Sequence, residues 1–435
     1  MSPEWIGIIG IVVLLAVLFF LGMPVGFAMA IVGFCGFWYS VSFKAAIGMV
    51  GGDIWSTFSS YGLTVVPLYI FMGYLAFNSG MAERLYNAAY KWVGHWPGGL
   101  AIATIGADEM FAAICGSNTA TAATMGTVAL PQMTKYKYDP RLSAGTVATG
   151  GTLGVVMPPS VVLIIIGLQT GQSIAELFLA GILPALLLGF LFVVTILTLC
   201  RAKPEFGPPG PKTSLKEKLR SLPGIVEALA VFILVIGGLY SGIFTPTEAG
   251  AFGVLATFLV SIVGRKLKWK GIIGALKDSL WISCMCFFLV TGATIFGRFL
   301  AVTRLPFAVA DFAAQLPVSP YIILAVILLI YVIGGCVMDA LGFLVVTIPI
   351  FFPLGVALGF DPIWYSIVLT MVTTLGALTP PVGVNIYVVK ALAPDVPLGD
   401  IFKSVSFFVI ASVVAMIILT IFPDIALVLP RLLHG

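Results

Sequence analysis

Long apolar runs, each about one membrane crossing in length, dominate this chain, and polar residues are confined to short islands between them. WIGIIGIVVLLAVLFFLG (5–22) and SLPGIVEALAVFILVIGGLY (221–240) approach the roughly 20 apolar residues that a helical crossing needs. The pattern predicts crossings near 5–22, 24–41, 63–79, 141–170, 174–199, 222–241, 246–264, 280–298, 361–392 and 401–422. Two further apolar segments, 98–134 and 319–358, are too long for one crossing and carry polar or small residues midway, so they read as re-entrant hairpins. The pieces 43–61, 81–96 and 265–279 read as amphipathic or interfacial, and 201–220 is the one hydrophilic loop. A membrane β-barrel would instead show alternation over about ten residues per strand. The expected class is an all-α polytopic membrane protein.

Composition sharpens that reading. Of 435 residues, 60% are hydrophobic and 9% charged, against about 25% charged in a typical soluble domain. The first apolar run follows Met1-Ser2-Pro3-Glu4, which has no basic flank, and leads into more membrane, so it does not read as a cleavable signal. All six cysteines lie in or beside apolar stretches and read as small packing residues. The net charge of +4 is a topology signal rather than a sign of nucleic acid. With these spans, 18 of the 22 Lys and Arg fall on one side, leaving Lys44, Arg298, Arg304 and Arg431 on the other. Positive-inside logic makes the crowded side cytoplasmic and places both termini outside.

A shift of 222 residues superposes landmarks without gaps. Thr152-Leu153-Gly154 falls on Thr374-Leu375-Gly376, Pro158-Pro159 on Pro380-Pro381, Pro131 on Pro353, and Pro24 on Pro246. The chain therefore divides into a first repeat (1–200), a cytoplasmic linker (201–220) and a second repeat (221–435). Each repeat holds five crossings, one of them broken (141–170 and 361–392), and one hairpin (98–134 and 319–358). An odd number of crossings inverts the second repeat relative to the first, an organisation found in secondary transporters.

The candidate chemistry sits at the hairpin tips and the breaks. The first tip, CGSNTA, carries Gly116, Ser117, Asn118 and Thr119, and the matching break carries Thr152, Gly154, Pro158 and Pro159. In the second half the tip GGCVMDALG carries Asp339, and the break carries Thr374, Gly376, Thr379, Pro380, Pro381, Gly383 and Asn385. Paired prolines remove backbone donors and interrupt the helix. The freed carbonyls are tolerated at membrane depth only when they are buried in protein or line a cavity. With neighbouring Ser, Thr, Asn and Asp oxygens they suit a small hard cation, and helix N-termini suit an anion. Ser117, Asn118, Asp339 and Thr379 are the expected Na⁺ ligands. Small-residue runs such as ATAATMG also serve simply as helix-packing surfaces; recurrence in both halves favours a functional reading.

Asp339 falls 222 residues after Ser117, so the second tip bears a carboxylate where the first bears a hydroxyl. Asp108-Glu109 reads either as a proton site or as a hydrogen-bonded structural pair, with the balance toward structure. Glu248 is expected to serve a helix N-terminus. Arg298 and Arg304 either attract an anion, contact a partner, or anchor the interface.

GSNTATAATMG, GGTLGVVMPPS, VMDALGFLVVTIPIFFP and LGALTPPVGVN together resemble the DctM-like large membrane (M) subunit of tripartite ATP-independent periplasmic (TRAP) transporters, of the ion transporter superfamily. SNT alone is less specific, because divalent-anion/sodium symporters in that superfamily use it too. The resemblance implies an elevator mechanism and Na⁺-coupled uptake, across a bacterial inner (plasma) membrane, of an organic acid such as a C4-dicarboxylate or sialic acid. It also implies a periplasmic substrate-binding protein and a small four-helix membrane subunit as partners, with Na⁺ as the coupling ion and no other cofactor. By position, Ser117 and Thr119 match the first-hairpin residues and Asp339 the second-hairpin acid. The alternative in the same class is a stand-alone sodium/anion symporter. An enzyme is disfavoured, because His95 and His434 lie at edges and there is no phosphate-binding loop.

Overall fold

Runs of apolar residues with no strand alternation give helices throughout. The computed structural model describes residues 2–263 and 267–434, so Arg265 and Lys266 of the charge division, and the terminal Gly435, lie outside the described residues. In the first half the helices are α1 (Pro3–Leu21), α2 (Val25–Ser40), α3 (Phe43–Phe58), α4 (Val65–Asn78), α5 (Met81–Val93), α6 (Gly99–Cys115), α7 (Asn118–Lys135), α8 (Pro140–Gly150), α9 (Leu153–Val156), α10 (Val161–Thr170) and α11 (Ile174–Ala202). The second half has α12 (Leu215–Tyr240), α13 (Pro246–Val263), α14 (Trp269–Val302), α15 (Leu305–Gln315), α16 (Pro320–Gly335), α17 (Ala340–Ala357), α18 (Pro362–Gly376), α19 (Val384–Leu392), α20 (Leu398–Ile421) and α21 (Asp424–His434). Among the described residues, eight helices are long and apolar enough to cross a membrane.

Both segments expected as hairpins are helix pairs, α6–α7 and α16–α17, and both crossings expected to be broken are interrupted. Two boundaries differ. Residues 269–279 are not a separate interfacial piece but the first third of α14, 34 residues long. Lys277 and Asp278 are polar without breaking a helix, and no proline lies within it. The loop is also shorter than 201–220. α12 starts at Leu215, because Ser214 and Glu217 form a reciprocal capping box that satisfies orphan N–H groups at the helix start.

The helices sort into two packed groups. α2 lies along α14 backbone to backbone: a Cβ on Gly33 would come within 2.8 Å of Phe296 Cα, and one on Gly26 within 2.7 Å of the Phe288 carbonyl. α3, α4 and α13 complete this group, with α1 against α2 and α12 against α13. In the other group α8, α9 and α10 are almost wholly buried, enclosed by α6, α7, α11, α18 and α20. α19 packs on α7 and α8, and α10 packs on α17, so each half's break lies against the other half's hairpin.

Candidate functional site

α6 ends at Gly116, whose φ of +63° is the left-handed conformation that glycine adopts at little cost. A side chain there would also strike the Pro159 carbonyl, at 2.7 Å from a Cβ. Ser117 then caps α7. Its hydroxyl reaches the Ala120 N–H and the Thr119 hydroxyl, each at 3.5 Å, while its carbonyl accepts from the Thr121 hydroxyl at 2.7 Å. Contacts at 3.5 Å are weak, leaving the Ser117 lone pairs largely uncommitted. Asn118 accepts from the Thr119 N–H through Oδ1 at 2.8 Å, and its buried Nδ2 has no partner.

This tip rests on the first break. A Cβ on Gly154 would come within 2.6 Å of the Ser117 carbonyl, and one on Gly151 within 2.9 Å of the Asn118 carbonyl. Small residues here let two backbones touch. Thr152 donates to the Thr149 carbonyl at 2.6 Å, and Ser160 donates to the Val155 carbonyl at 2.6 Å across the interruption. Pro158-Pro159 is a cis peptide, and residues 151–160 are all buried.

The second tip meets the second break in a similar way. Asp339 caps α17, accepting from the Leu341 N–H through Oδ2 at 3.2 Å, and stands exposed. The two tip positions 222 apart therefore each cap the second arm of a hairpin. A Cβ on Gly376 would come within 2.5 Å of Gly335 Cα. The Cys336 carbonyl accepts from the Val382 N–H at 3.2 Å, and Cys336 Sγ lies 2.8 Å from the Thr379 hydroxyl. That hydroxyl is also 3.0 Å from the Leu375 carbonyl. Thr374 donates to the Met371 carbonyl at 2.6 Å. Pro380-Pro381 is cis and exposed, unlike its buried counterpart, and Gly383 has a φ of +61°.

Among the described residues, one side-chain hydrogen bond joins the two halves at this level. Asn385 Nδ2 donates to the Ala148 carbonyl at 3.1 Å, leaving its buried Oδ1 without a partner. An orphaned oxygen beside an interrupted helix is an available acceptor for a cation. No hydrogen bond joins Ser117 or Asn118 directly to Asp339 or Thr379 among the described residues; Ser117 and Asn118 lie at the first tip, Asp339 at the second tip and Thr379 in the second break. The chemistry is a set of oxygen acceptors and helix starts at two tip–break contacts.

One expectation changes. Asp108 and Glu109 are buried, but none of their four carboxylate oxygens has a hydrogen-bond partner among the described residues, so they are not a hydrogen-bonded structural pair. Arg298 donates through Nε to Asp53 Oδ1 at 2.6 Å, with its side chain 57% exposed. Arg304 is exposed at the start of α15, with no salt bridge among the described residues. Glu248 does serve its helix start, accepting from the Thr245 N–H at 2.8 Å. Sequence reasoning missed Cys336, taken for a packing residue, and the carbonyl of Ala148; nothing in their spacing marks which neighbour they face.

The sequence model of the tripartite ATP-independent periplasmic transporter, DctM component, matches residues 12–425. The chain belongs to that family. It is 34% identical to the C4-dicarboxylate TRAP transporter large permease protein DctM of Pseudomonas aeruginosa, covering 87% of this chain and 88% of that one. It is 33% identical to the isethionate TRAP transporter permease protein DctMQ of Oleidesulfovibrio alaskensis, covering 80% of this chain but 55% of that longer one. The fold resembles the Alcanivorax borkumensis YdaH transporter, described as having an unusual topology, with a TM-score of 0.56 at 14% identity over 87% of this chain and 89% of that one. This TRAP large permease is thus a multi-pass transport protein rather than an enzyme, and the family naming implies a small membrane subunit and a periplasmic binding protein beside it.

Proposed function

We propose that this chain is the Na⁺-driven carrier for an organic acid handed over by a periplasmic binding protein. It would sit in the inner membrane with both termini outside, and its hairpins and broken helices would move together as an elevator. The observation that carries this reading is that in each half a hairpin tip closes on a Pro-Pro break, at positions 222 residues apart. Ser117, Thr119 and the first break would contribute to one cation site. Asp339, Thr379 and the second break would contribute to the other, with the free Asn385 Oδ1 an additional acceptor. The substrate class follows from the relatives, which carry a C4-dicarboxylate and isethionate. Both are small organic anions, suited to helix starts with partial positive charge.

The test is initial uptake into proteoliposomes as a function of Na⁺ concentration, with and without the binding protein. Asp339→Ala and Ser117→Ala are each expected to raise the Na⁺ concentration for half-maximal uptake while insertion stays normal. Unchanged Na⁺ dependence in both variants would make the tips structural. Full uptake without the binding protein would instead favour a stand-alone symporter.

A further inference from the structure

The first arm of the first hairpin, α6, carries two carboxyl groups in its buried middle. Asp108 is 0% exposed and Glu109 9%, and none of their four oxygens has a hydrogen-bond partner among the described residues. Consecutive helix positions point about 100° apart, so the two face different neighbours. Asp108 lies over Gly150 at the end of α8 and Glu109 over Gly189 in α11; a Cβ on either glycine would strike the carboxyl oxygen. Thr146 stands one turn before Gly150, on the same face of α8. It is completely buried, and its hydroxyl has no partner among the described residues. Thr104 and Thr124, also helical, instead donate to the carbonyls four residues earlier. A free hydroxyl can donate to a carboxylate and accept from a carboxylic acid.

Among the described residues no cation offsets the pair. α4, α5, α7, α8, α9, α11 and α12 pack on α6, and α4 and α9 carry no charged residue. Arg84 of α5 pairs with Glu227 of α12, and Arg141 of α8 with Asp139. The other charged residues of α5, α7, α11 and α12 lie near helix ends, and Tyr69 and Tyr86 are the buried tyrosines of α4 and α5. Burying an unpaired carboxylate costs more than taking up a proton, and a charge on either acid would oppose a charge on the other.

We propose that Asp108, with Glu109 beside it, is a proton-binding site of this permease: its carboxyl is held as the neutral acid in this conformation and gives up the proton when α6 shifts against α8 and admits water. The carboxyl O–H bond breaks, the proton passes to water, and the charge is left at the α6–α8 contact; return of the proton restores the closed packing. α6 is one arm of the hairpin whose tip rests on the first break, so opening the α6–α8 contact disturbs the seat of that tip. The proposal rests on the chain being a transport protein and not on Na⁺ as its coupling ion.

Infrared spectroscopy of the purified permease in detergent, with isotope-labelled aspartate, reads the acid directly. A protonated-aspartate band is expected at neutral pH, falling reversibly as pH rises, and Asp108→Asn should remove it. In proteoliposomes at fixed Na⁺, wild-type uptake is expected to fall severalfold between mildly acidic and mildly alkaline buffer, whereas Asp108→Asn, which keeps the shape without titrating, should be nearly flat. Ionisation of the transported acid itself would act on both proteins equally. If the Asn variant does not fold, Asp108→Ala combined with Gly150→Ala, which fills the niche, takes its place. The proposal is overturned by the absence of an Asp108 band, by a band that pH does not move while the protein stays folded, or by the same pH profile in wild type and variant. The infrared measurement needs neither Na⁺ nor substrate, so its failure leaves the carrier reading standing.

Discussion

Gly150 in α8 has no room for a side chain, because a Cβ there would run into Asp108 Oδ2, and Gly189 in α11 faces Glu109 Oε2 in the same way. The two glycines make space for two carboxyl groups that have no hydrogen-bond partner among the described residues. Gly150→Ala should therefore destabilise the protein by about 1–3 kcal/mol through overpacking, read as a lower melting temperature in detergent. Combining it with Asp108→Ala should restore most of the loss, and a failure to do so would show that Asp108 is not what Gly150 accommodates. At the tips, Asp339→Asn is the finer probe: it keeps the shape and one amide oxygen but removes the charge. It is expected to raise the Na⁺ concentration for half-maximal uptake more than it alters substrate choice, measured against competing acids. The sequence singled out the tip and break residues because polar groups among apolar helices stand out; it could not show that the Thr379 hydroxyl lies against Cys336 Sγ and the Leu375 carbonyl.

The segment after α11 is a clasp rather than a free loop. The Phe206 carbonyl accepts from the Asp139 N–H at 3.0 Å and the Gly207 carbonyl from the Gly98 N–H at 2.8 Å, so it ties together the starts of α6 and α8. Arg141 and Lys203 both lie over the Phe206 ring, at 5.5 and 5.2 Å. Cation–ring contacts at exposed sites contribute about 0.5–1 kcal/mol each, so Phe206→Ala should lower stability by about 1–2 kcal/mol and speed proteolytic cleavage near it. The Arg141 hydrogen bond holds the Asp139 carboxyl below its ordinary value, against an opposing effect of burial. A lowered carboxylate contributes stability that is complete above the unfolded value of about 3.9 and is lost as pH falls through the folded one. The stability difference between wild type and Asp139→Asn should accordingly be full at neutral pH and vanish on strong acidification in a pH series of melts. None of this was visible from composition, which marked 201–220 only as hydrophilic.

For the molecule as a whole, the 18-to-4 division of basic residues predicts that reporter fusions or cysteine labelling find the 203–214 segment on the cytoplasmic side and the C-terminal end on the other. Finding both on one side would overturn the proposed inverted arrangement. Net charge movement gives a second check. If two Na⁺ accompany a monoanion, one positive charge enters per cycle, and inside-negative potential contributes about 2.3 kcal/mol per 100 mV. Uptake should then rise when a potassium–valinomycin potential is imposed, whereas a dianion carried with two Na⁺ would be indifferent to it. The membrane class, the helix pairs α6–α7 and α16–α17 and the helix interruptions at the two proline pairs were legible in the sequence, because each depends on local causes: the length of an apolar run, a proline pair, a capping residue. Other features came only with the tertiary structure: Arg298 meeting Asp53 across 245 residues, Asn385 reaching Ala148 across 237, and two carboxyl groups closed in without a partner. Contacts at such separations depend on how rigid helices pack against one another, and an apolar run of uniform composition does not encode in any local pattern which of its faces meets which neighbour.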